Sequence, residues 1–164
     1  MTAGRILTKN GRYCCAVKLL KTYTDTYPKN GILWSTYGVA LGKRAKNASV
    51  FSKPGLADRS FQAFKKAVSL RPDIIEHRYE LMLYYAKAPG FMGGDVDKAY
   101  RQAVQAEKIN TALGAGVMAE YYALQDQYDR AEEKYKQKAL EEDPDIKDMF
   151  TVTRHSSRRS SRNR

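Results

Sequence analysis

The sequence predicts an all-α protein, a solenoid of antiparallel helix pairs wound into a right-handed superhelix. Two observations predict it. Between Trp34 and Pro72, large and small residues recur at helical spacing, Trp34-x-x-Tyr37-Gly38-x-x-Leu41 and then Ser60-x-x-x-Phe64-x-x-Ala67-x-x-x-x-Pro72. That spacing puts them on one face of each of two helices, and the small residues let the helices approach closely. The same frame returns in weaker form before and after this stretch, each time ended by a proline or a turn.

The first helical segment reads Gly11-Arg-Tyr13-x-x-Ala16-x-x-x-Leu20-x-x-Tyr23-x-x-x-x-Pro28, a helix over 12–26 and the second half of a repeat. Its first half would have to come from residues 1–10, where only Ile6 and Leu7 could pack. The uncovered flank of this half unit is a candidate surface for self-association, because a terminal repeat needs a polar outer face.

Pro28-Lys-Asn-Gly31 turns the chain into a helix over 32–50. Ser52-Lys-Pro54-Gly55 should break that helix, and a second follows over 56–70. Pro28 and Pro72 are 44 positions apart, against a plain period of roughly 34, so about ten residues are added at the turn between the paired helices.

The next unit pairs a helix over 75–87, with Tyr79, Met82, Leu83 and Ala86 at helical spacing, with one over 97–108 carrying Ala99, Ala103 and Ala106. Between them lies Ala88-Pro89-Gly90-Phe91-Met92-Gly93-Gly94-Asp95. Pro72 and Thr111 are 39 positions apart, so about five residues are added at the equivalent turn, and both insertions should project from one edge. The last unit runs through Ala119-x-x-Tyr122 to Tyr128-x-x-Ala131-x-x-x-Tyr135-x-x-x-Ala139-x-x-x-x-Pro144. The reading is a repeat domain over 1–148, with a half unit at 11–28 and units at 31–72, 73–111 and 112–144. Residues 149–164, rich in Ser and Arg, read as a disordered tail with no apolar face to bury.

The Trp34–Pro72 frame resembles a tetratricopeptide (TPR) repeat. The pair Ser60-Phe-x-x-Phe64-Lys-Lys-Ala67-Val-x-Leu70-x-Pro72 and Tyr84-Tyr85-x-x-Ala88-Pro89-Gly90-x-x-Gly93-Gly94 further resembles a group of bacterial TPR proteins with a long first turn and a Pro-Gly-x-x-Gly-Gly second turn. The resemblance covers roughly residues 11–144 and implies a fold rather than a defined role. Relatives in that group often carry export signals, and none is visible at the start of this sequence.

Composition narrows the function classes. The net charge of +11 divides unevenly, with 14 Lys/Arg against 2 Asp/Glu in residues 1–72, 10 against 16 in 73–150, and 5 against none in 151–164. A basic end of this kind can contact a polyanion without reading its sequence, and that is the alternative functional reading. No apolar run reaches the ~18 residues a membrane span needs, and no apolar leader opens the sequence, so a cytoplasmic location is favoured. Cys14 and Cys15 are adjacent, which excludes a disulfide framework, and are expected to be buried or half-buried thiols.

Catalytic and metal chemistry find little support. Gly93-Gly94-Asp95 lacks the Gly-Lys-Ser/Thr and the preceding strand of a phosphate loop, and a turn capped by Asp95 explains it better. Asp95-x-Asp97 lacks the further oxygen ligands of a calcium loop. His77 and His155 have no ligand partner at metal spacing, and no nucleophile–base arrangement stands out. The expectation is a non-enzyme with no cofactor and no metal.

What remains is an inner, concave face lined by the first helix of each pair. Helix phase places Val39, Lys43, Tyr79, Leu83 and Lys87 there, with Glu120 from the last unit. An apolar strip edged by lysine suits a protein or peptide segment bearing an acidic group. Glu76 on that face disfavours clamping of a terminal carboxylate. The residues expected to build the repeats themselves are Tyr13, Ala16, Pro28, Trp34, Gly38, Phe64, Ala67, Pro72, Ala99, Ala103, Ala106, Tyr128, Ala131, Tyr135 and Pro144.

Overall fold

A computed structural model describes residues 13–142. Pro144 and the segment 149–164 lie outside the described residues, as does the chain before Tyr13. Seven α-helices and one short 3-10 turn make up the described chain, with no strand among these residues. The helices are α1 (Tyr13–Thr26), α2 (Gly31–Lys46), α3 (Lys53–Leu70), α4 (Ile75–Lys87), α5 (Val96–Ile109), α6 (Thr111–Leu124) and α7 (Tyr128–Glu142), and the 3-10 turn is Gly90–Met92. The chain divides into two compact bodies, Met1–Gln102 and Ala103–Arg164, and the division falls within α5.

In the first body α1 packs on α2, α2 on α3, and α3 on α4. Ala16, Val17 and Leu20 of α1 join Leu33, Tyr37, Ala40, Leu41 and Ala45 of α2 and Leu56 and Ala63 of α3 in one apolar core. Thr24 completes the inward stripe of α1. This phase corrects the expectation for the cysteines. A stripe through positions 16, 17, 20 and 24 leaves positions 14 and 15 on the other side of the helix, and both thiols are exposed.

The α2 helix begins where the Asn30 side chain accepts a hydrogen bond from the Leu33 N–H at 3.2 Å, which satisfies one of the free donors of the first turn. Trp34 is half-buried against the core, and its Nε1–H donates to the Pro28 carbonyl at 2.8 Å, tying α2 to the turn before it. The helix ends at Lys46, short of the expected 50, with Asn47 at its C-cap. Pro54 and Gly55 do not break a helix; they lie in the first turn of α3, which begins at Lys53. Proline is tolerated there because the N–H it lacks would have no intrahelical acceptor. The break is made by residues 47–52 alone.

In the second body α6 packs on α7. Asn110 repeats the role of Asn30, accepting from the Leu113 N–H at 2.8 Å. Gly114, near the start of α6, lies so close to α5 that a Cβ would come within 2.2 Å of the Glu107 Cα. Lys134 of α7 reaches Glu107 at 2.8 Å. Ala115, Val117, Met118, Ala119 and Tyr121 are buried on α6, and Ala131 on α7. Among the repeat-building residues Ala99, Ala103 and Ala106 of α5 are fully buried, whereas Tyr128 and Tyr135 are exposed. The Tyr128 hydroxyl instead donates to the Asp126 carboxylate at 2.9 Å.

Candidate functional site

In the first body α2 and α4 are the helices expected from the sequence to lead consecutive repeats. Each packs on α3, and they also touch one another. Val39 on α2 and Tyr79 and Leu83 on α4 are half-buried, while Lys43 and Lys87 at the ends of the same rows are exposed. Lys43 follows Val39, and Lys87 follows Leu83, by one helical turn, so each lysine shares a face with the apolar residues.

Glu80 is the residue that sequence reasoning missed on this face. Its carboxyl is held above its ordinary pKa by burial, and the charges of Lys43 and Lys87 pull it back down. One carboxylate therefore lies within electrostatic reach of a lysine from each helix. A spacing of seven residues, Glu80 to Lys87, is two helical turns and was the available signal. The two lysines thus face a resident acid, and any acidic ligand would share them with it. Glu120 occupies a different position. Val39 and Ala119 each stand nine residues past a capping asparagine, so Ala119 corresponds to Val39 and Glu120 to the buried Ala40.

The second inserted turn packs against α3. Phe61 of α3 stacks on Tyr84 with ring centroids 4.6 Å apart and meets Tyr85 edge-on at 5.4 Å. The Tyr84 hydroxyl donates to the Met92 carbonyl at 3.0 Å. Burial raises the Tyr84 pKa, and the nearby Asp58 carboxylate adds to the shift. Asp58, Phe61, Tyr84 and Met92, with Pro54, Phe91 and Gly93, line a hollow of about 370 Å³, with Phe91 standing almost wholly exposed.

Gly93 has a φ of +90°, in the region that favours glycine, and a Cβ on Gly94 would fall 1.7 Å from the Ala88 carbonyl oxygen. The diglycine is explained by backbone geometry. Asp95 accepts from the Lys98 N–H at 2.9 Å and pairs with its ammonium at 2.8 Å, capping α5. His77, the described histidine, is buried, its Nδ1 3.4 Å from the Arg71 carbonyl oxygen.

Neither hollow nor face presents a paired nucleophile and base among the described residues. No helix of the described residues is long and apolar enough to cross a membrane.

No protein-family model matches the sequence, and no curated protein matches it. Solved structures do. A thermophilic TPR protein from Thermus thermophilus superposes with a TM-score of 0.72 at 22% identity, covering 94% of this chain and 76% of that one. The MamA protein superposes with a TM-score of 0.60 at 18% identity, covering 89% and 72%. With seven α-helices and no strand among the described residues, and with this likeness to a solved TPR protein, the fold of this chain is TPR-like.

Proposed function

We propose that the chain is a non-catalytic adaptor that holds a protein or peptide segment on the face shared by α2 and α4. The observation that carries this is the half-buried strip of Val39, Tyr79 and Leu83, bracketed by Lys43 and Lys87 around Glu80. Apolar side chains at helical spacing with charge at the rim suit an amphipathic or extended ligand, and one or two anchors dominate the affinity of such contacts. The ligand we favour carries an acidic group next to an apolar residue. The acid would draw Lys43 and Lys87 away from Glu80, and the apolar residue would cover Tyr79 and Leu83.

The test is an affinity capture with the wild type beside a Tyr79→Ala/Leu83→Ala variant shown to be folded by circular dichroism. A partner lost only from the variant supports the face. Partners retained at wild-type affinity would move attention to the inserted turns. Capture of nucleic acid that disappears steeply with salt would instead support the polyanion reading of the basic residues.

A further inference from the structure

The first inserted turn borders a separate, open hollow of about 350 Å³ between the start of α1, the end of α2 and the start of α3. Arg44, Asn47, Ser49 and Ser52 line it, with Tyr13 and Cys14 from α1. None of its lining residues is acidic. In the sequence no acid occurs between Asp25 and Asp58, while Lys43, Lys46 and Lys53 surround the turn.

Arg44 is half-buried, and among the described residues its guanidinium makes no hydrogen bond and no ion pair. The contrast within the same body is sharp. Arg71 pairs with Asp73, and Arg78 donates to the Pro72 carbonyl and to Gln102. The hydroxyls of Ser49 and Ser52 are 3.1 Å apart, so one donates to the other and one hydrogen is left over. Ser52 precedes α3 without using its side chain to cap that helix, so its hydroxyl is not committed to the backbone.

We propose that this hollow is a binding site for a phosphate-type oxyanion. The guanidinium supplies charge and a two-pronged donor, which matches two oxygens of a tetrahedral anion. The Asn47 amide and the serine hydroxyls supply neutral donors from the inserted turn for a further oxygen. A planar carboxylate has two oxygens and would leave those donors unused. The volume is at the low end of small-molecule sites, on the order of 300–1,000 Å³, which suits free phosphate or a phosphate monoester with a small organic group. In this reading the residues added to the first turn create the site, because a plain repeat would have no Asn47–Ser52 segment. The site is separate from the α2/α4 face and does not depend on it.

The experiment is a titration of the full chain with inorganic phosphate at constant ionic strength, followed by the backbone amide resonances of Ser49 and Ser52 and the side-chain Nε–H of Arg44. Saturable shifts confined to this turn are expected, with chloride giving none. Arg44→Gln should weaken binding by about tenfold or more, the loss expected for a charged hydrogen-bond donor. Arg130→Gln, on α7, should leave binding unchanged. A Ser49→Ala/Ser52→Ala variant should weaken binding too and covers the case in which Arg44→Gln fails to fold. Tighter binding of glycerol phosphate than of phosphate would identify a monoester as the ligand, and equal binding would identify the free anion. Shifts that follow ionic strength alike for chloride and phosphate would overturn the proposal. So would wild-type affinity in both Arg44→Gln and the double serine variant.

Discussion

Phe64 lies so close over Gly38 that a Cβ on the glycine would come within 2.6 Å of the ring Cε1 and 2.8 Å of Cδ1. The Ser60 hydroxyl donates to the Gly38 carbonyl at 2.8 Å from the same helix, so α3 is seated on α2 by a ring and a buried hydrogen bond side by side. Phe64 is itself buried and has little room to withdraw. Gly38→Ala should therefore destabilise by about 1–3 kcal/mol through overpacking, although alanine is the better helix former. Phe64→Ala should cost about 3–5 kcal/mol through the cavity it leaves. The double variant should cost clearly less than the two together, because the clash needs both groups. Chemical denaturation of the four proteins checks this, and strict additivity would mean that the contact is not made.

Glu80 gives a prediction about pH and stability. Its folded-state pKa is raised above the ordinary carboxyl value, chiefly by burial, so ionisation costs more in the folded chain than in the unfolded one. The stability that goes with the protonated form is fully present below the unfolded pKa and is lost as pH rises through the folded one. Glu80→Gln should accordingly be neutral or stabilising at pH 7, with the gain fading as pH falls through the raised folded pKa and gone below the ordinary value of about 4.5. If Glu80→Gln is clearly destabilising at pH 7, the attraction of the Lys43 and Lys87 charges outweighs the burial. Denaturation midpoints across that range decide it.

His77 has the opposite dependence. Burial lowers its pKa, and the bonds to the Arg71 and Ala67 carbonyls and the charge of Glu76 offset that only partly. The unfolded chain therefore takes up a proton first as pH falls. Stability is fully present above the unfolded value, about 6.5, and declines as pH drops toward the depressed folded value. His77→Asn should abolish that part of the decline, whatever it costs at pH 8. An unchanged slope between pH 7 and 5.5 in the variant would assign the dependence to other groups.

Much of the fold was legible because it is written at short range. The stripe through Ala16 and Leu20, the frame of Gly38, Phe64 and Ala67, and the buried alanines of α5 follow from helical period and residue size. The extent of α4, Ile75–Lys87, follows the sequence pattern residue for residue, since Lys87 is followed by an Ala88-Pro89 that cannot continue the helix. Misreadings cluster where two short-range rules compete. Pro54-Gly55 reads as a breaker, yet proline is equally at home in a first turn, and only the path of residues 47–52 chose between them. Cys14 and Cys15 are compatible with either side of α1 until the core selects the phase.

Paired helices with lengthened turns, and a Gly38 that must admit a neighbouring ring, can be read from the chain without its fold. Those are properties of single helices and of the contacts of adjacent ones. The tertiary structure decided which charges meet. Lys43 and Glu80 are 37 positions apart in the chain, and no periodicity relates them; α3 brings them together by packing against both their helices. It also decided that Arg44 has no carboxylate to pair with among the described residues, because the turn that closes over it supplies hydroxyls and an amide and no acid. Electrostatic partners are chosen by distance in space, and a linear pattern carries that information only within a helix turn or two.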